Sequence, residues 1–175
     1  MRLAAILCIS VLAAASSAAA QDNVLAQAGK STLGMIKTNV VKSAEQMTEE
    51  NYAFKPTPDV RSFGELIGHI ANANYMICSM ATGAENPNKT NIEKSLTKKA
   101  DLTKALGESF AFCEAQWDAL TPEKAAEMVK LFGQMEMPRA NALHFNTAHD
   151  FEHYGNIVTY MRLKGMVPPS SQRGM

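Results

Sequence analysis

Three histidines offer the chemistry that can be read from this sequence. His149 and His153 stand four residues apart. On a helix that spacing puts them about 40° apart around the axis and ~6 Å along it. Two imidazoles so placed can converge on one ion at ~2.0–2.1 Å from each ring nitrogen. His69 stands between the apolar residues Leu66 and Ile70, and could add a third imidazole from another helix. Three neutral histidines leave a divalent ion doubly charged and coordinatively open, able to activate water or polarise a carbonyl. Zinc is the commonest fit, and nickel, iron and manganese also accept imidazole. His144 falls about 140° around the helix from His149 and is excluded. Glu65, Glu152, Tyr160 and Asn146 are the candidates for proton handling or substrate contact. Glu65 has a competing role in capping a helix, and Asp150 and Glu152 read as solvated or supporting groups. The plain alternative is a set of histidines that only pack.

The elements that must position these residues are helical. Leu25, Ala28, Leu33, Ile36, Val40, Val41, Ala44 and Met47 recur with a helical period, which predicts a first helix from Val24 to about Met47. Pro56 and Pro58 forbid a helix over 51–61. Ser62-Phe-Gly-Glu65 fits a capping box and opens a second helix, with Leu66, Ile70, Ala73, Ile77 and Met80 as its buried stripe. A long polar connector is expected from Gly83 to about Leu96. A third helix follows from about Thr97 to Leu120, and a short extra one over Glu123 to Leu131, ended by Gly133. The last long helix runs from Pro138 to Lys164, with Gly165 as its cap. No sustained strand alternation stands out, so the class is all-α, a four-helix bundle with one short extra helix. His69 lies thirteen residues before the expected end of helix two at Thr82. His149 and His153 lie eleven and fifteen residues after Pro138. Antiparallel packing of these two helices brings all three rings to one level.

The start of the chain reads as an export signal. Arg2 precedes an apolar run over Leu3 to Ala15, and Ala18-x-Ala20 suits signal peptidase, with cleavage before Gln21. This divides the chain into a signal peptide, 1–20, and one domain, 21–175, in a periplasm or outside the cell. The apolar run is shorter than the ~20 residues of a membrane span, and no membrane span is expected after cleavage. Lys plus Arg number 17 and Asp plus Glu 17. A neutral chain lacks the basic face that nucleic acid binding requires. Cleavage also removes Cys8 and leaves Cys78 and Cys113 in an oxidising compartment.

Two stretches resemble the DinB/YfiT-like family of metalloproteins. Tyr52-Ala-Phe-Lys-Pro-Thr-Pro-Asp-Val-Arg-Ser-Phe-Gly-Glu-Leu-Ile-Gly-His69 is similar to the entry into its metal-binding helix. His149-Asp-Phe-Glu-His153-Tyr-Gly-Asn-Ile-Val-Thr-Tyr160, continuing to Pro168-Pro169, looks like its closing helix and exit. The resemblance covers nearly the whole mature chain. It implies an up-down-down-up bundle, often dimeric, holding one divalent ion on His69, His149 and His153. Some relatives are transferases or isomerases that activate a low-molecular-weight thiol. Export removes this chain from the cytoplasmic thiol pool, which argues against that activity here. Two readings follow for the exported chain: a metal-dependent hydrolase or group transferase acting on a small molecule, or a non-catalytic metal- or ligand-binding bundle. The resemblance bears on the cysteines too. Cys78 and Cys113 each lie sixteen residues into their expected helices. Antiparallel helices would hold them too far apart to bridge. The parallel arrangement implied by the family matches their heights, and so implies a Cys78–Cys113 disulfide.

Overall fold

The computed structural model describes residues 3–172, with side chains from residue 24 onward. Helix α1 spans Leu3–Gln46, so the helix expected from Val24 continues upstream. The proposed signal peptide and its cleavage point lie outside the residues whose side chains are described. Leu33, Ile36, Val40, Ala44 and Met47 are fully buried, whereas Leu25 stays exposed. Burying each large side chain of that stripe stabilises by roughly 1.5–3 kcal/mol relative to exposure.

A 3-10 turn, Glu50–Ala53, and the proline segment lead to α2, Phe63–Thr82. The capping box is present: Ser62 Oγ accepts from the Glu65 amide at 3.1 Å, and Glu65 Oε2 accepts from the Ser62 amide at 2.7 Å. Gly83 closes α2 at φ 75°. The connector contains one helical turn, α3, Ile92–Ser95, and leads to α4, Lys99–Asp118. The last helix, α6, spans Arg139–Leu163. Its exit has the Schellman hydrogen bonds, Met166 N–H to Met161 O and Gly165 N–H to Arg162 O, with Gly165 at φ 70°.

The expected short helix over Glu123–Leu131 is corrected. Only Pro122–Ala126 is helical, as α5; Met128–Leu131 and Met135–Pro138 pair as the antiparallel strands β1 and β2. The turn between them places Phe132 at φ 50° and Gly133 at φ 74°. Positive φ at both central residues suits the twist of a tight hairpin. Gly133 therefore ends a strand and not a helix.

Residue pairs fix the helix directions. Asn74 meets Ser109 and Thr82 meets Gln116, so α2 and α4 run parallel. Lys30 meets Asp118 and Lys37 meets Glu114, so α1 opposes α4. Asn74 also meets Asn146, and Arg139 reaches Ala81 O, so α2 opposes α6. The bundle is up-down-down-up. Cys78 and Cys113 form a disulfide between the parallel pair, with Cα atoms 5.6 Å apart. Among the described residues no helix is long and apolar enough to cross a membrane.

Candidate metal centre

Antiparallel α2 and α6 bring His69, His149 and His153 together. Their ligand atoms lie within 4.8 Å of one another. The Nε2 atoms of His149 and His153 are 3.0 Å apart. That separation fits two nitrogens each ~2.0–2.1 Å from one ion. The His69 ring centroid sits 5.3 Å from that of His149 and 4.7 Å from that of His153. Burial, the largest cause, pushes His149 and His153 down to about 4; the charge of a neighbouring imidazole adds to it. His69 is lowered too, by burial first and then by Arg61. All three rings are thus neutral near pH 7, the protonation state a metal ligand needs.

Glu93 of α3 is the residue that the sequence reading missed. Its Oε2 lies 3.4 Å from His69 Nδ1, and its Oε1 accepts from Arg61 Nε at 3.0 Å. A carboxylate behind Nδ1 holds the proton there and would leave Nε2 as the ligand atom for an ion. Gly68 makes the approach possible: a Cβ on it would come within 2.7 Å of Glu93 Cα and 2.9 Å of Glu93 N. Asn72 fastens the same connector to α2, its Oδ1 accepting from the Ile92 amide at 3.0 Å. On α6, Asn156 Nδ2 lies 3.3 Å from His153 Nδ1. Glu93→Gln should therefore weaken metal binding by roughly 10–100-fold with the helical fold intact. Competition titration with a chromophoric chelator measures this, and an unchanged affinity would remove Glu93 from the site.

The other candidates separate. Glu65 is committed to the capping box and to Lys55, 3.1 Å away, and the Ser62 amide, ahead of Lys55, holds its carboxyl down at about 2. It lines the pocket but is not aimed at the ion. Glu152 is exposed, and its charge acts on both His149 and His153. Tyr160 lines the pocket and donates to Arg61 O at 2.7 Å. Asn146 is corrected as a substrate contact. It is fully buried, bonded to Asn74 Oδ1 at 2.8 Å and Asp150 Oδ2 at 3.3 Å. Asp150 is corrected from a solvated group to a core carboxyl, 0 % exposed and raised well above its ordinary value by burial. His144 stacks on Trp117, ring centroids 4.9 Å apart, away from the other three histidines.

These shifts set a pH dependence. Between about pH 6.5 and about 4 the unfolded chain protonates its histidines while the folded one resists. The unfolded state then binds more protons, so stability falls as pH falls. Asp150 acts in the opposite sense, since its folded form keeps a proton that the unfolded form releases. With that opposing group removed, metal-free Asp150→Asn protein should unfold at lower denaturant at pH 5 than at pH 7.5. Equal midpoints in chelator-treated samples would contradict the buried neutral cluster.

An antiparallel pair of helices inside a four-helix bundle presents three imidazoles that could hold one metal ion, and this defines the class. The sequence profile described as the DinB superfamily matches residues 36–157, and the chain belongs to that superfamily. The fold is similar to that of a DinB-like protein from Bacillus cereus, with 18% identity, TM-score 0.67, and coverage of 77% of this chain and 89% of that one. A DinB-like protein from Bacillus subtilis gives 22% identity and TM-score 0.65, over 83% and 99% of the two chains. A third, described as a putative member of the DinB family from Exiguobacterium sibiricum, gives 16% identity and TM-score 0.64, over 81% and 92%. Comparison with curated proteins gives no match.

Proposed function

We propose that this is an exported metal-dependent enzyme, a hydrolase or group transferase acting on a small molecule, with one divalent ion, zinc by preference, on His69, His149 and His153. The observation that carries the reading is the convergence of three neutral imidazoles beside a cavity of about 680 Å³, of which His153 forms part of the wall. That volume lies in the usual range for small-molecule sites. A divalent ion there supplies a Lewis acid, which polarises a carbonyl or phosphoryl oxygen and makes water a nucleophile near neutral pH. The chain's own residues do the rest. Glu93 orients His69. Glu152, exposed and bearing its charge on both His149 and His153, is the candidate for proton handling. Export is supported by the signal-like leader and by the disulfide, which suits an oxidising compartment.

One observation favours the second reading, a non-catalytic binder. Of the carboxylates around the site, Glu65 and Glu93 are already engaged with Lys55 and with Arg61 and His69. Cobalt substitution discriminates between the two. An open coordination position should let azide or a small thiol change the visible spectrum of the cobalt form. A spectrum indifferent to every added ligand would mean a closed, structural site and would overturn the enzyme reading.

A further inference from the structure

The cavity beside the histidines is lined by charges of both signs, Arg61 among them. Arg61 is fixed there from three directions. Its Nε donates to Glu93 Oε1 at 3.0 Å, its carbonyl accepts from Tyr160 at 2.7 Å, and Ser62, the next residue, caps α2. The side chain is still 42% exposed, and Arg61 lines the cavity together with Lys55, Lys94, His153 and Asn156. Glu93 joins it to the histidines, with Oε1 on Arg61 Nε at 3.0 Å and Oε2 3.4 Å from His69 Nδ1, so the guanidinium stands one carboxylate away from the cluster. Because Nε is the atom that Glu93 engages, the Nη edge remains for a ligand. That edge is a planar fork matched to the two oxygens of a carboxylate or phosphoryl group.

The charge count points the same way. Lys55, Arg61 and Lys94 face Glu65, Glu93 and Asp59 in this cavity, three of each sign. A divalent ion on the histidines makes the whole site positive. Lys55 is paired with Glu65, and Lys94 lies 3.6 Å from Glu93, so Glu93 gathers both Arg61 and Lys94 at one wall. We infer that Arg61 is the anchor for a terminal oxyanion of the substrate, so that the substrate class is a small molecule carrying a carboxylate or phosphoryl group at one end and its reacting group at the other. This rests on the proposed metal site.

The probes are dicarboxylates of increasing chain length, from malonate to adipate, titrated calorimetrically into the zinc-loaded protein beside monocarboxylates of equal length. A parallel series with one phosphonate end distinguishes the two oxyanions. One chain length should bind the wild-type protein roughly tenfold more tightly than its monocarboxylate partner. Arg61→Gln should erase that preference, and Arg61→Lys should keep part of it. Zinc content is measured for every variant. Either series showing an Arg61-dependent preference supports the anchor and says which oxyanion it takes. Zinc uptake with no preference at any length, or a preference that survives Arg61→Gln, overturns it while leaving the metal reading in place. Arg61-dependent binding to a protein that takes up no zinc would sink the metal reading and keep the anion site.

Discussion

Alanine at His149 is expected to take metal binding from one ion per chain to none. The same holds for His153. Their Nε2 atoms are 3.0 Å apart on successive turns of one helix, so each is half of the chelating pair. With one removed, His69 and a single partner remain, too few for a tightly held ion. The fold should survive the change at His149. That ring buries an Nδ1 with no hydrogen-bond partner, so its removal also relieves an unsatisfied polar atom. His144→Ala is the control. It loses a ring contact with Trp117, worth on the order of 1 kcal/mol, and should keep the ion. Metal analysis after dialysis, with circular dichroism on the same samples, reads both effects. A His149→Ala protein that keeps one ion at wild-type affinity would disprove the triad.

Removing the disulfide is expected to produce the largest loss of stability. Cys78 and Cys113 are buried at 1% and 0% exposure and close a loop of sequence separation 35. In the chain-entropy view such a loop stabilises by roughly 2–4 kcal/mol. For a domain of this size that corresponds to a fall in Tm of roughly 5–15 °C. The double variant Cys78→Ala/Cys113→Ala suits the test, because alanine adds no new donor to the polar network of Asn74 and Asn146 that borders Cys113. Metal stoichiometry should persist, since neither sulfur touches a histidine of the cluster. Unchanged thermal unfolding, or two alkylated thiols on folded unreduced protein, would argue against the bridge.

The long helices were legible because each carries its own punctuation. Ser62 and Glu65 announce α2, Gly165 ends α6, and the stripe from Leu33 to Met47 keeps one helical face. The spacing of the histidines was legible for the same reason, since i and i+4 define one face whatever surrounds them. The β1–β2 hairpin was not. Its strands have four residues each, too few to display alternation, and a glycine at positive φ serves a turn as readily as a helix end. Glu93 was hidden for a different reason. Asn91-Ile-Glu-Lys reads as an ordinary capped turn, and its meeting with His69 is long-range. The faint cue was the missing side chain of Gly68 just before His69. Asp150 was misread by residue type. Its helical phase puts it on the face of Leu143, Asn146, Ile157 and Met161, all fully buried.

The three histidines come from two separate stretches of the chain. His69 and its support Glu93 are made before α6, the last helix, which carries both His149 and His153. A growing or partly unfolded chain has a lone imidazole at α2 and nothing to join it until α6 exists and docks. Loading with the proposed metal would therefore be a terminal event in assembly, and the ion would tighten the closure of the last helix by favouring only the finished form. Under the proposed export, a chain that folds after crossing the membrane would capture its metal where it folds, and the ions available there, rather than the order of intrinsic affinities alone, would set which one it carries.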